Sequence, residues 1–142
     1  MGMSKLSRFE DMEVWTLART LNRRIYSVSG TEAFSRDFGI RDQIRRASVS
    51  IASNIAEGFE SQSNPSFIRF LATARGSAAE VRAQLYLALD LQYVSTTDFD
   101  SLSSTCESIS RQLTGPINHL KSPPTTKIPN PKSPISNLES RI

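Results

Sequence analysis

Four stretches of this 142-residue chain carry apolar or small side chains at alternating steps of three and four residues. In the stretch between Gly39 and Gly58, the positions on this spacing are Ile44, Ser48, Ile51 and Ile55. The spacing places these side chains on one stripe of an α-helix. Ala47, Ala52 and Ala56 lie beside the stripe, and such small side chains let a neighbouring helix approach closely. The pattern therefore predicts helices that pack against one another along their length.

The same spacing predicts four helices, at about residues 9–28, 40–59, 65–93 and 97–120. Long helices joined by short loops pack antiparallel, so we expect an all-α fold, an antiparallel up-down-up-down four-helix bundle over residues 9–121. Residues 1–8 are predicted to form a disordered lead-in. Residues 122–142 are rich in proline and serine and are predicted to form a disordered C-terminal tail.

Two glycines and one proline have predicted structural roles. Gly58 is expected to end the second helix in a left-handed conformation. Gly76 lies inside the third helix, where glycine costs roughly 1 kcal/mol relative to alanine. A close crossing with the alanines of the second helix would offset that cost. Pro116 is predicted to kink or end the fourth helix early, because proline removes a backbone hydrogen bond.

The connections between the helices carry further signals. Phe34 and Phe38 are predicted to cover the end of the bundle, because a fully solvated loop would not carry two phenylalanines. Asn64 is predicted to cap the third helix. Ser95 or Thr97 can cap the fourth.

Arginine dominates the basic residues, with 13 of the 17, although the net charge is only +3. Guanidinium groups bind phosphates through two hydrogen bonds and stack on bases, so this bias favours a nucleic acid or an acidic protein as partner. Arginine is also a good helix former on a solvated face, and that interpretation stays open. The candidate phosphate-contacting residues are Arg19, Arg23, Arg24, Arg41, Arg45, Arg46, Arg75 and Arg82.

The first helix carries a second stripe beside the one that faces the core. Its members are Met12, Trp15, Arg19 and Tyr26. A monomeric bundle needs only one apolar stripe per helix, so a second stripe with a tryptophan indicates another covered surface. We therefore predict that Met12, Trp15 and Tyr26 form an oligomer interface. A wide core-facing stripe is the alternative.

The chain offers few groups for catalysis. It has one histidine, His119, and one cysteine, Cys106, with no Glu-x-x-His pair and no glycine-rich phosphate loop. We therefore expect a non-enzymatic protein without a metal or a cofactor. No apolar run approaches the roughly 18–20 residues that cross a bilayer, and the N-terminus lacks the apolar centre of a secretory signal. A cytoplasmic protein without a membrane partner is expected.

Asn54 and Glu57 stand three residues apart near the end of the second predicted helix. An asparagine inside a helix usually has a specific hydrogen-bond partner, because burying a free amide is unfavourable. We predict a structural role for both side chains, with Asn54 bonded to a neighbouring helix or loop. Glu57 would then pair with Arg46 or Arg75.

Four segments together resemble a known family. They are FEDMEVW at 9–15, FGIRDQIRRA at 38–47, SIASNIAEG at 50–58 and FIRFLATARGSAAE at 67–80. They are similar, in this order, to the bacterial four-helix-bundle proteins whose genes were noted in intervening sequences of large-subunit ribosomal RNA. That family also includes the accessory protein of diversity-generating retroelements. Arg41 stands where such proteins often have a capping Ser or Thr, which leaves the start of the second helix open.

The resemblance implies a homopentamer of bundles with a basic surface, and retroelement members bind nucleic acid and a reverse transcriptase. With the arginine bias, it gives a predicted function: a non-enzymatic, oligomeric accessory protein that binds nucleic acid, RNA or RNA–DNA. One alternative is a scaffold that docks an acidic partner such as a reverse transcriptase. Another is a helical toxin or nuclease.

Overall fold

The computed structural model describes residues 8–121. A short 3₁₀ turn, Phe9–Asp11, precedes five α-helices. These helices are α1 (Glu13–Val28), α2 (Glu32–Arg36), α3 (Phe38–Glu60), α4 (Asn64–Asp90) and α5 (Thr96–Lys121). The predicted tail and all of the predicted lead-in except Arg8 lie outside the described residues.

The four long helices form the predicted all-α bundle. Helix α1 packs against α3 and α5, and α4 packs against the same two helices, so neighbouring helices run antiparallel around one core. The side chains on the repeating stripes fill that core, and Leu21, Ile51, Leu85 and Ile109 are fully buried there. Each such side chain contributes about 1.5–3 kcal/mol on burial, which is why the stripe spacing alone determines the architecture.

The first predicted helix is divided in the structure. Met12 is extended, with φ −87° and ψ 136°, and separates the 3₁₀ turn from α1. The turn folds Phe9 back so that its ring meets Trp15 edge-on, with 4.8 Å between ring centroids. This aromatic contact favours the break over a continuous helix.

The connection after α1 matches the prediction for one phenylalanine only. Phe34 lies in the short helix α2, is fully buried, and stacks on Tyr93 with 5.1 Å between centroids. Phe38 begins α3 instead and is 64% exposed. The prediction that both rings cover the bundle end is therefore wrong for Phe38, because the helix start turns its side chain outward.

The starts of α4 and α5 follow the sequence signals within one residue. Ser63, rather than Asn64, caps α4, and its hydroxyl accepts a hydrogen bond from the Ser66 amide at 3.3 Å. The Ser95 hydroxyl accepts from the Asp98 amide at 3.0 Å, as predicted for a cap of α5. Arg41 does not affect the start of α3, because the helix already begins at Phe38.

The predictions for Gly58 as a helix end and for Gly76 as the site of a close helix crossing are both wrong. No glycine in residues 8–121 has a positive φ, and Gly58 lies inside α3, which continues to Glu60. A Cβ at Gly58 would lie 3.1 Å from Leu71 Cδ2 and 3.3 Å from Phe70 Cβ, so the close approach of α3 to α4 occurs here. A Cβ at Gly76 would meet nothing within 4 Å.

Helix α5 does not end at Pro116 but continues to Lys121. Ile117 follows directly and is 1% exposed, whereas Leu120 is half-buried. Burial of Ile117 offsets the hydrogen bond that the proline removes, because the side chain continues the buried stripe of Leu113.

Candidate nucleic-acid interface

Antiparallel packing places the second half of α1 beside the first half of α3. The Ser48 hydroxyl donates to Asn22 Oδ1 at 3.0 Å, and Arg45 Nε donates to Ser29 Oγ at 2.7 Å, which fixes the register of the two helices. Two arginine clusters that are far apart in the sequence therefore lie at the same end of the bundle. We call this surface the basic end; its six arginines are Arg19, near the middle of α1, Arg23 and Arg24 further along α1, and Arg41, Arg45 and Arg46 on α3.

Most of these guanidinium groups have no carboxylate partner. Within residues 8–121, only Arg41 of the six forms an ion pair, with Asp42 at 2.9 Å. Arg19, Arg23 and Arg46 are exposed. Their charge is therefore available to an anionic ligand instead of being neutralised by the protein's own acids.

Arg45 is held in place by uncharged groups. Besides its bond to Ser29, it donates to the Tyr26 carbonyl at 3.3 Å, and its Cζ lies 4.5 Å from the centroid of the Tyr26 ring. These contacts orient the guanidinium and leave its positive charge intact. Arg24 is similarly oriented, since it donates to Ser101 Oγ of α5 at 2.9 Å.

The other two predicted arginines lie elsewhere. Arg75 donates to Thr114 Oγ1 at 3.0 Å, and Arg82 lies 3.6 Å from a carboxylate oxygen of Glu107, so both connect α4 to α5. Six of the eight candidate arginines therefore lie on the neighbouring helices α1 and α3, whereas Arg75 and Arg82 lie on α4 and contact α5.

A groove of about 550 Å³ runs along the outside of the α1–α3 pair. It is lined by Trp15, Asn22, Val49, Ala52, Ser53, Ala56, Glu57 and Glu60. Small side chains on α3 create it, and Trp15 lies at the acidic end, away from the basic end. Of the other predicted interface residues, Met12 is half-buried against the core and Tyr26 is 42% exposed.

Asn54 has a structural role, as predicted, but its bonds stay on its own helix. Its amide donates to the Ser50 carbonyl at 2.9 Å and to Ser50 Oγ at 3.1 Å. Ser50 Oγ also lies 2.8 Å from Ser77 Oγ, which connects this group to α4. The network secures the α3–α4 contact.

The predicted ion pair of Glu57 is wrong. Neither Arg46 nor Arg75 pairs with it in the structure. Arg46 lies eleven residues away on the same helix, which corresponds to roughly 16 Å along the axis. Arg75 is bonded to α5 instead. Glu57 is exposed and lines the groove, where it contributes negative charge near Trp15.

Cys106 and His119, the cysteine and the histidine of the chain, both lie on α5 and not on the helices of the basic end. Cys106 is fully buried in the core, and burial raises the pKa of its thiol to about 12, so the group is neutral near pH 7. His119 is exposed in the last turn of α5. Within residues 8–121, no group of three or more His, Cys, Asp or Glu side chains is placed to hold a metal ion.

None of the described helices is both long enough and apolar enough to cross a membrane. Sequence reasoning missed one feature of the basic end, which is that Arg41 and Arg45 each lie over an aromatic ring. The pairing of Phe38 with Arg41 could have been read from their separation by three residues on one helix. The pairing of Tyr26 with Arg45 joins two helices and has no local signal.

Comparison with known proteins agrees with the fold. Residues 10–115 match the family described as 23S rRNA-intervening sequence protein. Among solved structures, a crystal structure of a protein of unknown function from the S23 ribosomal protein family of Bacteroides thetaiotaomicron VPI-5482 is similar. It has 27% sequence identity and a TM-score of 0.69, and the alignment covers 74% of this chain and 95% of the other. No curated protein matches the chain.

Proposed function

Because the chain belongs to the 23S rRNA-intervening sequence protein family, we propose that it is a non-enzymatic protein that binds RNA or RNA–DNA through its basic end. The family assignment confirms the resemblance of the four sequence segments. The binding function and the ligand are the proposal, and so is a role as a retroelement accessory protein.

One observation carries the proposal. Six arginines lie on two neighbouring helices, α1 and α3, and only Arg41 among them pairs with a carboxylate in residues 8–121. A solvated helix face that served only solubility would be expected to intersperse both signs of charge. An unneutralised guanidinium cluster favours phosphate, which it can bind through two hydrogen bonds per arginine.

The proposal includes assembly into a homo-oligomer, with a pentamer as the family resemblance implies. The groove between α1 and α3 offers a surface for it, because Trp15 is half-buried there and the α3 side chains around it are small. A ring of five subunits would present five basic ends to one ligand. Several weak phosphate contacts per subunit would then act together.

The binding test is a salt series on a fluorescently labelled structured RNA. Each neutralised phosphate releases counterions, so raising the salt from about 50 to 200 mM should lower the affinity roughly 10³–10⁵-fold if 6–10 phosphates are contacted. An affinity that does not change with salt would overturn the proposal. The same incubation, resolved on a denaturing gel, reports any cleavage and therefore tests the nuclease alternative.

The assembly test is light scattering on the purified protein. A pentamer should have a mass near five times the 15.8 kDa of one chain, and Trp15→Ala should shift it towards smaller species. Tyr86→Ala is the matched control, because Tyr86 is an exposed aromatic residue on α4, away from the groove. A monomeric wild-type protein would contradict this part of the proposal.

A protein-docking scaffold is the second candidate function. It is favoured by two exposed apolar side chains at the end of α4: Leu87 in its last turn and Leu91 directly after it are 53% and 52% exposed. Binding of a purified reverse transcriptase should then be lost in Leu87→Ser with Leu91→Ser and kept in Arg45→Glu with Arg46→Glu. RNA binding should show the opposite pattern.

A further inference from the structure

Two exposed aromatic rings at the basic end each carry a guanidinium group. The Arg45 Cζ lies 4.5 Å from the centroid of the Tyr26 ring, and the Arg41 Cζ lies 4.7 Å from that of Phe38. Tyr26 is 42% exposed and Phe38 is 64% exposed, so each ring keeps a large area open to a ligand. The two rings therefore combine a flat apolar surface with an adjacent positive charge.

The two pairs are neighbours. Arg41 and Arg45 are four residues apart on α3, which puts them on one face about 5–6 Å apart at their Cβ atoms. Arg41 is held by the Ser35 carbonyl at 3.0 Å and by Asp42, while Arg45 is held by the end of α1. Because both guanidinium groups are already oriented, a ligand would lose little side-chain freedom on binding them.

The third arginine–ring pair in residues 8–121 is different. Arg69 lies over Phe70 with 4.5 Å between Cζ and the ring centroid. Phe70 is half-buried, and its Cβ packs where α3 and α4 approach at Gly58. That pair is part of the helix contact, whereas the rings of Tyr26 and Phe38 project from the surface.

Unpaired bases are the ligand groups that fit such a surface. A base has a flat π-face that stacks on Tyr or Phe whatever its identity, and the phosphate beside it meets the arginine. In a duplex, the bases are stacked on one another and are not free to reach a protein ring. Exposed rings next to guanidinium groups therefore distinguish a single strand from a duplex, which an arginine cluster alone does not.

We propose that the basic end binds a single-stranded segment of nucleic acid, with bases stacked on Tyr26 and Phe38 and a phosphate on Arg45. This inference rests on the proposed function and adds the form of the strand to it. A single-stranded loop within a structured RNA satisfies both statements.

The test compares labelled oligo(U), oligo(dT) and an RNA duplex of equal length by fluorescence anisotropy. Removal of both rings in Tyr26→Ala with Phe38→Ala should weaken oligo(U) binding by roughly tenfold or more per ring and leave duplex binding unchanged. The slope of log affinity against log salt should stay the same, because no phosphate contact is lost. Equal losses on oligo(U) and oligo(dT) show that bases are recognised without regard to the sugar, and a loss on oligo(U) alone assigns the site to RNA.

The control variants separate stacking from stability. Tyr26→Phe and Phe38→Tyr keep an aromatic ring and should bind like the wild type. Tyr86→Ala removes a ring that is 55% exposed but contacts Phe99 and carries no guanidinium, so it should not change binding. Thermal unfolding and light scattering on each variant report whether the fold and the assembly are kept.

Three outcomes overturn the inference, and each is distinguishable from failure of the proposed function. Unchanged oligo(U) binding in the double variant shows that the rings do not stack on bases. Equal losses on single strand and duplex show a general structural effect, and a changed oligomer mass shows that Tyr26 is a subunit contact. If neither single strand nor duplex binds the wild-type protein, the proposed function itself fails.

Discussion

The arginines on the two sides of the bundle have different partners. On the α4–α5 side, Arg75 and Arg82 bond to Thr114 and Glu107 of the facing helix. On the α1–α3 side, exposed arginines such as Arg46 have no carboxylate partner within residues 8–121. The difference shows that the number of arginines does not indicate a binding surface; the partners of each guanidinium do.

Packing also differs between the two contacts that α3 makes with its neighbours. The α3–α4 contact is close enough at Gly58 that a Cβ would lie 3.1 Å from Leu71. The α1–α3 contact leaves a groove of about 550 Å³ along its outer surface. The tightly packed pair stabilises the fold, and the loosely packed pair leaves polar and aromatic groups available to a ligand or to another subunit.

The largest effect is expected where the packing is tightest. Gly58→Leu places a branched side chain against Leu71 and Phe70, and overpacking of this kind lowers the free energy of unfolding by about 3 kcal/mol. Urea unfolding followed by circular dichroism measures it. Gly76→Leu is the matched control, because its Cβ meets nothing within 4 Å, and it should change stability by less than a third as much. Equal losses in the two variants would contradict the assignment of the close crossing to Gly58.

The next effect separates the arginines of the two sides. Arg23→Ala with Arg46→Ala should weaken RNA binding by roughly tenfold or more and lower the salt slope by about 2, since each removes a charge-assisted contact. Arg75→Ala with Arg82→Ala should leave the slope unchanged, because those groups already bond to α5. Anisotropy titrations at several salt concentrations give both values. A lower slope in the second pair would indicate that the ligand also reaches the α4–α5 side.

The architecture could be predicted from the sequence because it depends on local periodicity. The stripes through Ile51 and Leu85 are fully buried, as the spacing requires. The roles of Gly58 and Gly76 could not be assigned, because one helix shows which residues share a face but not which face a neighbour approaches most closely. Gly58 follows a stripe of alanines, and the sequence is equally compatible with a helix end at this glycine and with a close helix–helix contact there.

The candidate site was predictable in composition and not in arrangement. The sequence supplies the eight candidate arginines, yet whether two of them, such as Arg45 and Arg82, share a surface depends on the register of four helices. Hydrogen bonds across helices, such as that from Arg45 to Ser29, leave no local sequence pattern. The same is true of the ring of Tyr26, whose guanidinium partner lies nineteen residues further along the chain.

A smaller effect of opposite sign is expected at Gly76. Glycine in a helix interior is about 0.5–1 kcal/mol less favourable than alanine, and the added methyl group would meet no neighbour. Gly76→Ala should therefore raise the free energy of unfolding by about that amount in the isolated subunit. A loss of stability in the assembled protein, together with a gain in dilute monomer, would indicate that another subunit covers this face of α4.

The smallest effect is expected at Cys106, in the core beside Arg82. Burial raises the pKa of the thiol to about 12, although the nearby guanidinium acts to lower it, so the thiol stays protonated at pH 8 in the folded state. Alkylation by iodoacetamide needs the thiolate and physical access, and it should be undetectable at pH 8 until the protein is unfolded in urea. Substitutions at the basic end, such as Arg46→Ala, should leave this protection unchanged because they do not reach the core. Rapid labelling in that variant would show that the two sides of the bundle are energetically coupled, and the contrast between a binding side and a stabilising side would then not hold.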